Sequence, residues 1–456
     1  MRTNNLGRAL LYGLTGSTVF LIACGAGVDS RRHDALWTEY RSMERAADAR
    51  RDDATLFAEA EHLDRAALVE AVLTRNPDVA AARAGLRAAL AEIDLATALD
   101  DPTISYEVAP LSVAGDAPFG QRVEIRQMLP FPGKRRLAGE AALAMAEAEA
   151  AEIEVVQLEL AQMASEMFDD YYVVARALAI NEHHRALMAE MKESAEIQYV
   201  AGHASQQDPI KAEVELAELE IERLGLEAER DQITARLNGL LHREPGAPLP
   251  PPPAELDVAQ APAGTSAELQ ELALEQRPQR DATRARIRAA QAEVAVARRD
   301  YYPDFELMAG YDSMWDMPEH QWMVGVMIEV PLQRGKRRAA VEQAEAETAA
   351  MRFEDESLID TIRVEVDRGH SRVVEAKAIV ELNEQKLLPA VRDQLDAARA
   401  GFASAQNDFM AVVEAEETLR AAELELEMAR AELSRRQAAL ARAVGLVPGL
   451  PEGGAR

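Results

Sequence analysis

The apolar positions of this chain follow two periods that alternate along its length. From Pro77 to about Leu99 the residues are alanine-rich, with Leu86, Leu90 and Ile93 at helical spacing, and Asp100-Asp101-Pro102 stops the predicted helix. The period then drops to two. Ile104, Tyr106 and Val108 alternate with Ser105 and Glu107, and Val123, Ile125 and Leu129 alternate with Glu124 and Arg126; this predicts strands at about 103–111 and 121–129. After Pro132 the spacing of three and four returns and runs unbroken to about Tyr199, through Ile153, Val156, Leu160, Met163, Met167, Tyr171 and Val174. About 70 residues at roughly 1.5 Å each make a rod of roughly 100 Å, which no globular core needs. A turn from His203 to Gln207 and a further helix follow.

The second half of the chain repeats the first. Pro77, Pro102 and Pro130 recur as Pro278, Pro303 and Pro331, each 201 positions on, and Gly133-Lys134-Arg135-Arg136 recurs as Gly335-Lys336-Arg337-Arg338. Phe305, Leu307, Ala309 and Tyr311, then Trp322, Val324, Val326, Ile328 and Val330, mark strands at about 305–311 and 321–330. A second long helix is expected from Arg334 to Ala400, with Pro389 kinking it or marking a junction, and a turn from Phe402 to Asn407. The expected organisation is a leader, 1–23, an N-terminal segment, 24–62, a first repeat, 63–244, a proline-rich linker, 245–262, a second repeat, 263–449, and a tail, 450–456. The shorter helices of each repeat add up to nearly one long helix, so they are expected to stack beside it, with strands at one pole and turns at the other.

Four strands, apolar on one face and polar on the other, suit a half-buried soluble sheet or the wall of a membrane barrel. A soluble sheet needs a cover for its apolar face, and these helices run off as rods, which leaves lipid. Lipid tolerates only closed sheets, because an open edge strands backbone donors and acceptors at several kcal/mol each. Four strands do not close alone. Two copies give eight, a barrel filled by side chains, and three give twelve, with a lumen; an oligomer follows, a trimer being the reading preferred.

Composition sharpens this picture in two places. A formal charge of −29 excludes a nucleic-acid partner, which needs a concentrated basic surface. One cysteine excludes an internal disulfide, and its surroundings explain it: Arg2 and Arg8 precede an apolar run from Ala9 to Ala23 that ends in Leu21-Ile22-Ala23-Cys24. The run is too short to span a bilayer as a finished anchor. It resembles a bacterial lipoprotein signal, which implies that Cys24 becomes the lipidated first residue of the mature protein, and Gly25 after it resembles outer-membrane sorting.

The Asn76-Pro77 and Arg277-Pro278 helix starts, the duplicated strand pairs with their Gly-Lys-Arg units, and the turn sequences Ala204-Ser205-Gln206-Gln207-Asp208 and Asn407-Asp408-Phe409 resemble the TolC-type outer membrane factors from about Leu63 to Val447. The resemblance implies a mainly α fold with a membrane β-barrel portion: a trimeric, twelve-stranded barrel continued by a helical periplasmic tunnel. It also implies the partners, namely two further copies, outer-membrane lipid, a periplasmic adaptor and an inner-membrane pump that supplies the energy. Met128-Leu129-Pro130-Phe131-Pro132-Gly133-Lys134-Arg135 is similar to the heavy-metal branch of that family, so metal cations stand beside drugs as expected cargo. A duct for secreted polypeptides is the alternative within transport. A periplasmic coiled-coil adaptor is the alternative outside it, but has no use for four duplicated strands.

No catalytic, metal or cofactor motif is present, and the chain does not read as an enzyme. Among the histidines, the adjacent pair His183-His184 is expected on a helix surface, and Met314, Met317, Met323 and Met327 read as strand and loop residues. Lys134, Arg135, Arg136, Lys336, Arg337 and Arg338 stand at helix N-termini, where the helix dipole disfavours cations by a few tenths to about 1 kcal/mol each, and phospholipid head groups at the barrel rim are the expected offset. The family resemblance implies a periplasmic gate closed by carboxylates, for which Asp408 and Glu414 are the candidates, and an adaptor-contact tip, for which Gly202, Ala204, Ser205, Gly401, Ala403 and Ser404 are the candidates. Asp208 and Asp408 are also well placed as helix caps.

Overall fold

Helices and strands follow one another as the two periods require. A computed structural model describes residues 28–48, 56–57, 60–109, 120–202, 204–258, 262–315, 317, 320–404 and 406–450. The leader, Cys24 and His203 lie outside the described residues. The N-terminal segment contains α1 (Ser30–Asp48), which the periodicity did not announce. The first repeat comprises α2 (Arg65–Arg75), α3 (Pro77–Thr97), β1 (Thr103–Ala109), β2 (Gly120–Leu129), α4 (Lys134–Val200) and α5 (Gln207–Leu240). The second comprises α6 (Ser266–Gln276), α7 (Pro278–Arg299), β3 (Asp304–Asp312), β4 (Trp322–Glu329), α8 (Arg334–Leu382), α9 (Leu388–Ala403) and α10 (Phe409–Val444).

The chain divides into two compact units, and α4 and α8 contribute residues to both. One holds the described parts of Met1–Met43, Arg83–Ala151 and Asp281–Glu356, and therefore the sheet; the other holds those of Glu44–Ala82, Glu152–Arg280 and Ser357–Arg456.

In the first unit the strands form one antiparallel sheet in the order β1-β2-β3-β4. The register places Ile104, Ile125, Ala309 and Val324 in one row and Tyr106, Val123, Tyr311 and Trp322 in the next, so the apolar positions of both repeats share a face. Ser105, Glu124, Gly310 and Met323 fill a row of the other face. Because side chains alternate with a period of two, a slip of one residue would exchange the faces, and this pattern fixes the pairing.

In the second unit each repeat builds its own core. Leu68, Val69, Val72, Val79, Leu160, Phe168, Ile233 and Leu237 pack together in the first, and Leu269, Ile362, Val366, Val391, Leu419 and Leu440 in the second. The linker is part of this packing. Leu249 and Leu256 lie against the first core, and Pro251 accepts a hydrogen bond from the Leu63 backbone N–H at 2.8 Å. Equivalent residues of the two repeats have taken different work: Asn76 donates from its side chain to the Leu240 carbonyl at 3.1 Å and accepts from the Asp78 backbone N–H, whereas Arg277 pairs with Glu365 at 2.6 Å. Gly445, at φ +94°, ends α10 in the left-handed region, and a side chain there would meet the Gln276 backbone.

At Pro389 the second long helix is not divided into two stacked helices: the helical backbone runs on without a break from Arg334 to Ala403. Directly before the proline the backbone widens into one π turn, Asn383–Leu387, in which the Leu388 N–H reaches the Asn383 carbonyl. Proline has no N–H and its ring crowds the carbonyl four residues back, that of Gln385; the wider turn removes both conflicts.

Candidate channel wall and helical turns

The apolar face of the sheet is bare. Val324 is 89% exposed, Trp322 74% and Ile104 69%, and Tyr106, Val326 and Ile328 are exposed with them. A contiguous face of this kind does not persist in water. The opposite face carries Glu107, Glu124, Glu306, Asp312 and Glu329 against Arg122 and Arg126, an acidic surplus. Arg126 donates to Glu124 at 2.6 Å, and Arg122 lies 4.0 Å from both Glu124 and Asp312. Among the described residues, β1 and β4 each pair on one side only, so both sheet edges present unpaired backbone groups.

Where the strands give way to helices, the basic residues find acceptors within the chain. Lys134 Nζ lies 3.0 Å from Asp300 and 2.8 Å from Asp304, whose other carboxylate oxygen accepts from the Phe131 backbone N–H. Burial would lower the Lys134 pKa, but its hydrogen bonds and charge pairing with Asp304 and Asp300 raise it above the ordinary lysine value. Arg135 donates to the Thr97 carbonyl at 2.8 Å, Arg136 pairs with Glu140, and Arg337 donates to the Asp300 carbonyl at 2.7 Å. The expected offset by lipid head groups is therefore supplied at these four positions by acidic and carbonyl oxygens of the protein. Arg338, 3.6 Å from Glu342, and Lys336 are exposed.

The two helical turns occur in the second unit. Gly202 turns the chain after α4 at φ +77°, a conformation glycine adopts freely. Its counterpart Gly401 is inside α9, where its carbonyl accepts from the backbone N–H groups of Gln406 and Asn407. Ala204, Ala403 and Ser404 flank these turns, and Phe402 packs edge-on against Phe409 at 5.5 Å. Ser205 and Asp208 divide the capping differently from the expectation. The Ser205 hydroxyl accepts from the Gln207 N–H, and Asp208, inside α5, reaches back to the Ser205 N–H at 3.1 Å. Asp408 is the N-cap of α10, accepting from the Ala411 N–H at 3.0 Å, and Glu414 is exposed one turn further on.

Residues 269–446 match the sequence profile of the family described as outer membrane efflux protein. That match falls within the second repeat of the chain. The chain is 25% identical over 252 residues to the cobalt-zinc-cadmium resistance protein CzcC of Cupriavidus metallidurans, a stretch covering 51% of this chain and 55% of that protein's length. The fold is that of CusC, a protein described as forming a transmembrane channel (TM-score 0.72, 20% identity, 84% of this chain and 93% of that one). The open outer membrane channel MtrE of Neisseria gonorrhoeae is also similar (TM-score 0.70, 18% identity, 84% and 89% covered).

One charged group escapes sequence reasoning. His184, expected on a helix surface, has no exposed area and is held by Glu416 and Glu423, while His183 is the exposed member of the pair. The available clue is the seven-residue spacing of Glu416 and Glu423, which puts two acids on one face of α10.

Capping and charge at Asp408 can be separated by substitution. Asp408→Ala is expected to cost about 1 kcal/mol through loss of the N-cap, whereas Asp408→Asn, which caps equally well, leaves the melting temperature of the protein unchanged. A planar bilayer conductance that changes in the asparagine variant while its melting temperature does not would then report the charge and not the cap.

Proposed function

We propose that the protein is the exit duct of a tripartite efflux system, in which three copies close their sheets into one twelve-stranded barrel and their helices continue it into the periplasm as a tunnel. The observation that carries this reading is the sheet itself. It has an uncovered apolar face, a polar face with an acidic surplus, and two open edges. Joining β4 of one copy to β1 of the next removes every edge, and the apolar face then meets lipid. The acidic surplus turns inward and favours cations over anions along the lumen.

Passage through such a duct requires no bond to be made or broken, and an inner-membrane pump working through a periplasmic adaptor supplies the drive. The small residues at the two turns, Gly202, Ala204, Ser205, Gly401, Ala403 and Ser404, leave room for an adaptor's helical hairpin. Asp408 and Glu414 place charge near the tunnel end, Glu414 being the acid not engaged in capping. The cargo is small solutes, with metal cations favoured by the lumen charge and by the resemblance to a protein named for cobalt, zinc and cadmium resistance.

The test combines native mass spectrometry of the purified mature protein, its conductance in planar bilayers, and a deletion strain challenged with metals, dyes and detergents. A trimer that conducts, with loss of tolerance in the deletion strain, is the expected result. A water-soluble monomer that never enters micelles or vesicles overturns the reading, and unchanged tolerance across the panel removes the efflux role.

A further inference from the structure

The polar face of the sheet selects its apolar residues by chemistry. On β2, β3 and β4 that face carries charged residues, glycines and, as its only other side chains, Met128, Met308, Met323 and Met327. The bare face of the same three strands is built from valine, isoleucine, leucine, alanine, glutamine and aromatic residues and holds no methionine. Where apolar surface is wanted, these strands use branched and aromatic side chains, as a pleated sheet favours. Among the charges they use thioethers. Hydrophobicity alone would be served equally by leucine or valine, so the sulfur is the property that separates the two faces.

The four methionines are neighbours. Met308 pairs directly with Arg126 on β2 and with Gly325 on β4, so the positions diagonal to it on its own face are Glu124, Met128, Met323 and Met327. Diagonal positions lie about 7–8 Å apart, within reach of long side chains. Gly325 makes room at the centre. A Cβ there would stand 2.7 Å from the Met308 methyl group and 3.5 Å from its sulfur, so the Met308 side chain lies flat across the glycine, between Met323 and Met327. Met327 is exposed and the other three methionines are half-buried, which leaves this face open to a solute. The charges beside them are Glu306, between Met128 and Met327, and Glu124, held by Arg126 at 2.6 Å with Arg122 at 4.0 Å.

We infer that Met128, Met308, Met323 and Met327 form a binding site for a soft monovalent cation, copper(I) or silver(I), with Met308 at its centre. Thioethers are soft, neutral donors that select such ions, whereas zinc, cobalt and magnesium prefer nitrogen and oxygen ligands. The acidic surplus of the face concentrates cations of every kind, and the sulfurs discriminate among them. A thioether carries no proton, so binding releases none, unlike binding to cysteine, histidine or a carboxylic acid. As a step on an exit path the site rests on the proposed duct, in which this face lines the lumen; as a binding site it is a property of a single sheet.

The experiment is a calorimetric titration of silver(I) nitrate into the full-length protein in detergent and chloride-free buffer, with zinc(II) as the comparison ion and bilayer conductance recorded alongside. The tightest silver site of the wild type is expected to keep its affinity between about pH 5.5 and 8. Met308→Leu, which nearly conserves volume and removes the sulfur, is expected to weaken that site about tenfold or more at an unchanged melting temperature, and to leave zinc binding as it was. Gly325→Ala weakens it too, by displacing the same thioether. Met428→Leu, at an exposed methionine of α10, is the control and changes nothing. Silver binding by Met308→Leu equal to that of wild type, or an affinity that collapses in acid as histidine or carboxylate ligands require, overturns the site whether or not the protein conducts. Silver binding that depends on Met308 in a protein that never conducts upholds the site and sinks the duct.

Discussion

Val324→Arg is expected to prevent the stable insertion into the outer membrane that the proposed duct requires. Val324 lies in the body of β4, paired with Ala309 on the bare face of the sheet, and is 89% exposed. A cation on the lipid face of a membrane strand costs about 2–4 kcal/mol near the bilayer midplane, and every copy of an assembled barrel would carry it. The control is the adjacent residue. Met323→Arg places the same charge on the opposite, acidic face, and there it is expected to leave insertion intact. The fraction of protein recovered from the outer membrane as a detergent-resistant oligomer measures both; equal behaviour of the two variants would show that the faces have been assigned the wrong way round.

The second large effect is expected at Arg65. Its guanidinium is buried, with Nη2 at 2.6 Å from Asp169 and Nη1 at 2.7 Å from the Ser165 hydroxyl, and it lies over the Phe168 ring at 4.5 Å. Asp169 has no exposed surface. Arg65→Met leaves that carboxylate buried without its partner, and a loss of about 3–5 kcal/mol is expected. The pH dependence has a definite sign. Burial already raises the Asp169 pKa, against the opposing pull of Arg65, Ser434 and Arg435, and removing Arg65 raises it further. Stability of the variant relative to wild type should therefore recover as pH falls, because a protonated acid tolerates burial. Arg65→Met combined with Asp169→Leu should restore most of the loss, since an apolar pair of similar volume often matches a buried ion pair. Chemical denaturation of the purified protein at two pH values checks this, and a double variant no better than the single one would assign the damage to lost packing over Phe168.

The contrast between these sites shows what could be read from the residues alone. The sheet was legible because alternation of apolar and polar positions is set within each strand, and duplication supplied it twice: Ile104, Tyr106 and Val108 find their counterparts in Phe305, Leu307 and Ala309. The long helices were legible for the same local reason. Contacts made across the fold were not. His184 and Glu416 are 232 positions apart, and nothing on α4 distinguishes a histidine turned inward from its neighbour turned outward. The partners of Lys134 were hidden likewise, since Asp300 and Asp304 belong to the other repeat and come within reach only when β2 pairs with β3. Asp208 fails for a smaller reason: the preceding Ser205 competes for the same helix end and wins. Cys24 lies outside the described residues, and its lipidation stays an expectation of the sequence.

The π turn before Pro389 bears on how the second repeat keeps its seam in phase. Buried positions fall at Val373, Ala376 and Val380 of α8 and at Asn383 of the π turn, in steps of three and four, and those of α9 fall at Leu388, Val391, Leu395 and Ala398 in the same steps. Between Asn383 and Leu388 the step is five. An ordinary helix would carry Leu388 about 100° beyond the place that a four-residue step gives it, and the widened turn absorbs the surplus residue so that one continuous stripe faces the core. Removing one residue from this turn would thus be absorbed with little change of phase, whereas adding one would swing all of α9 off its bed.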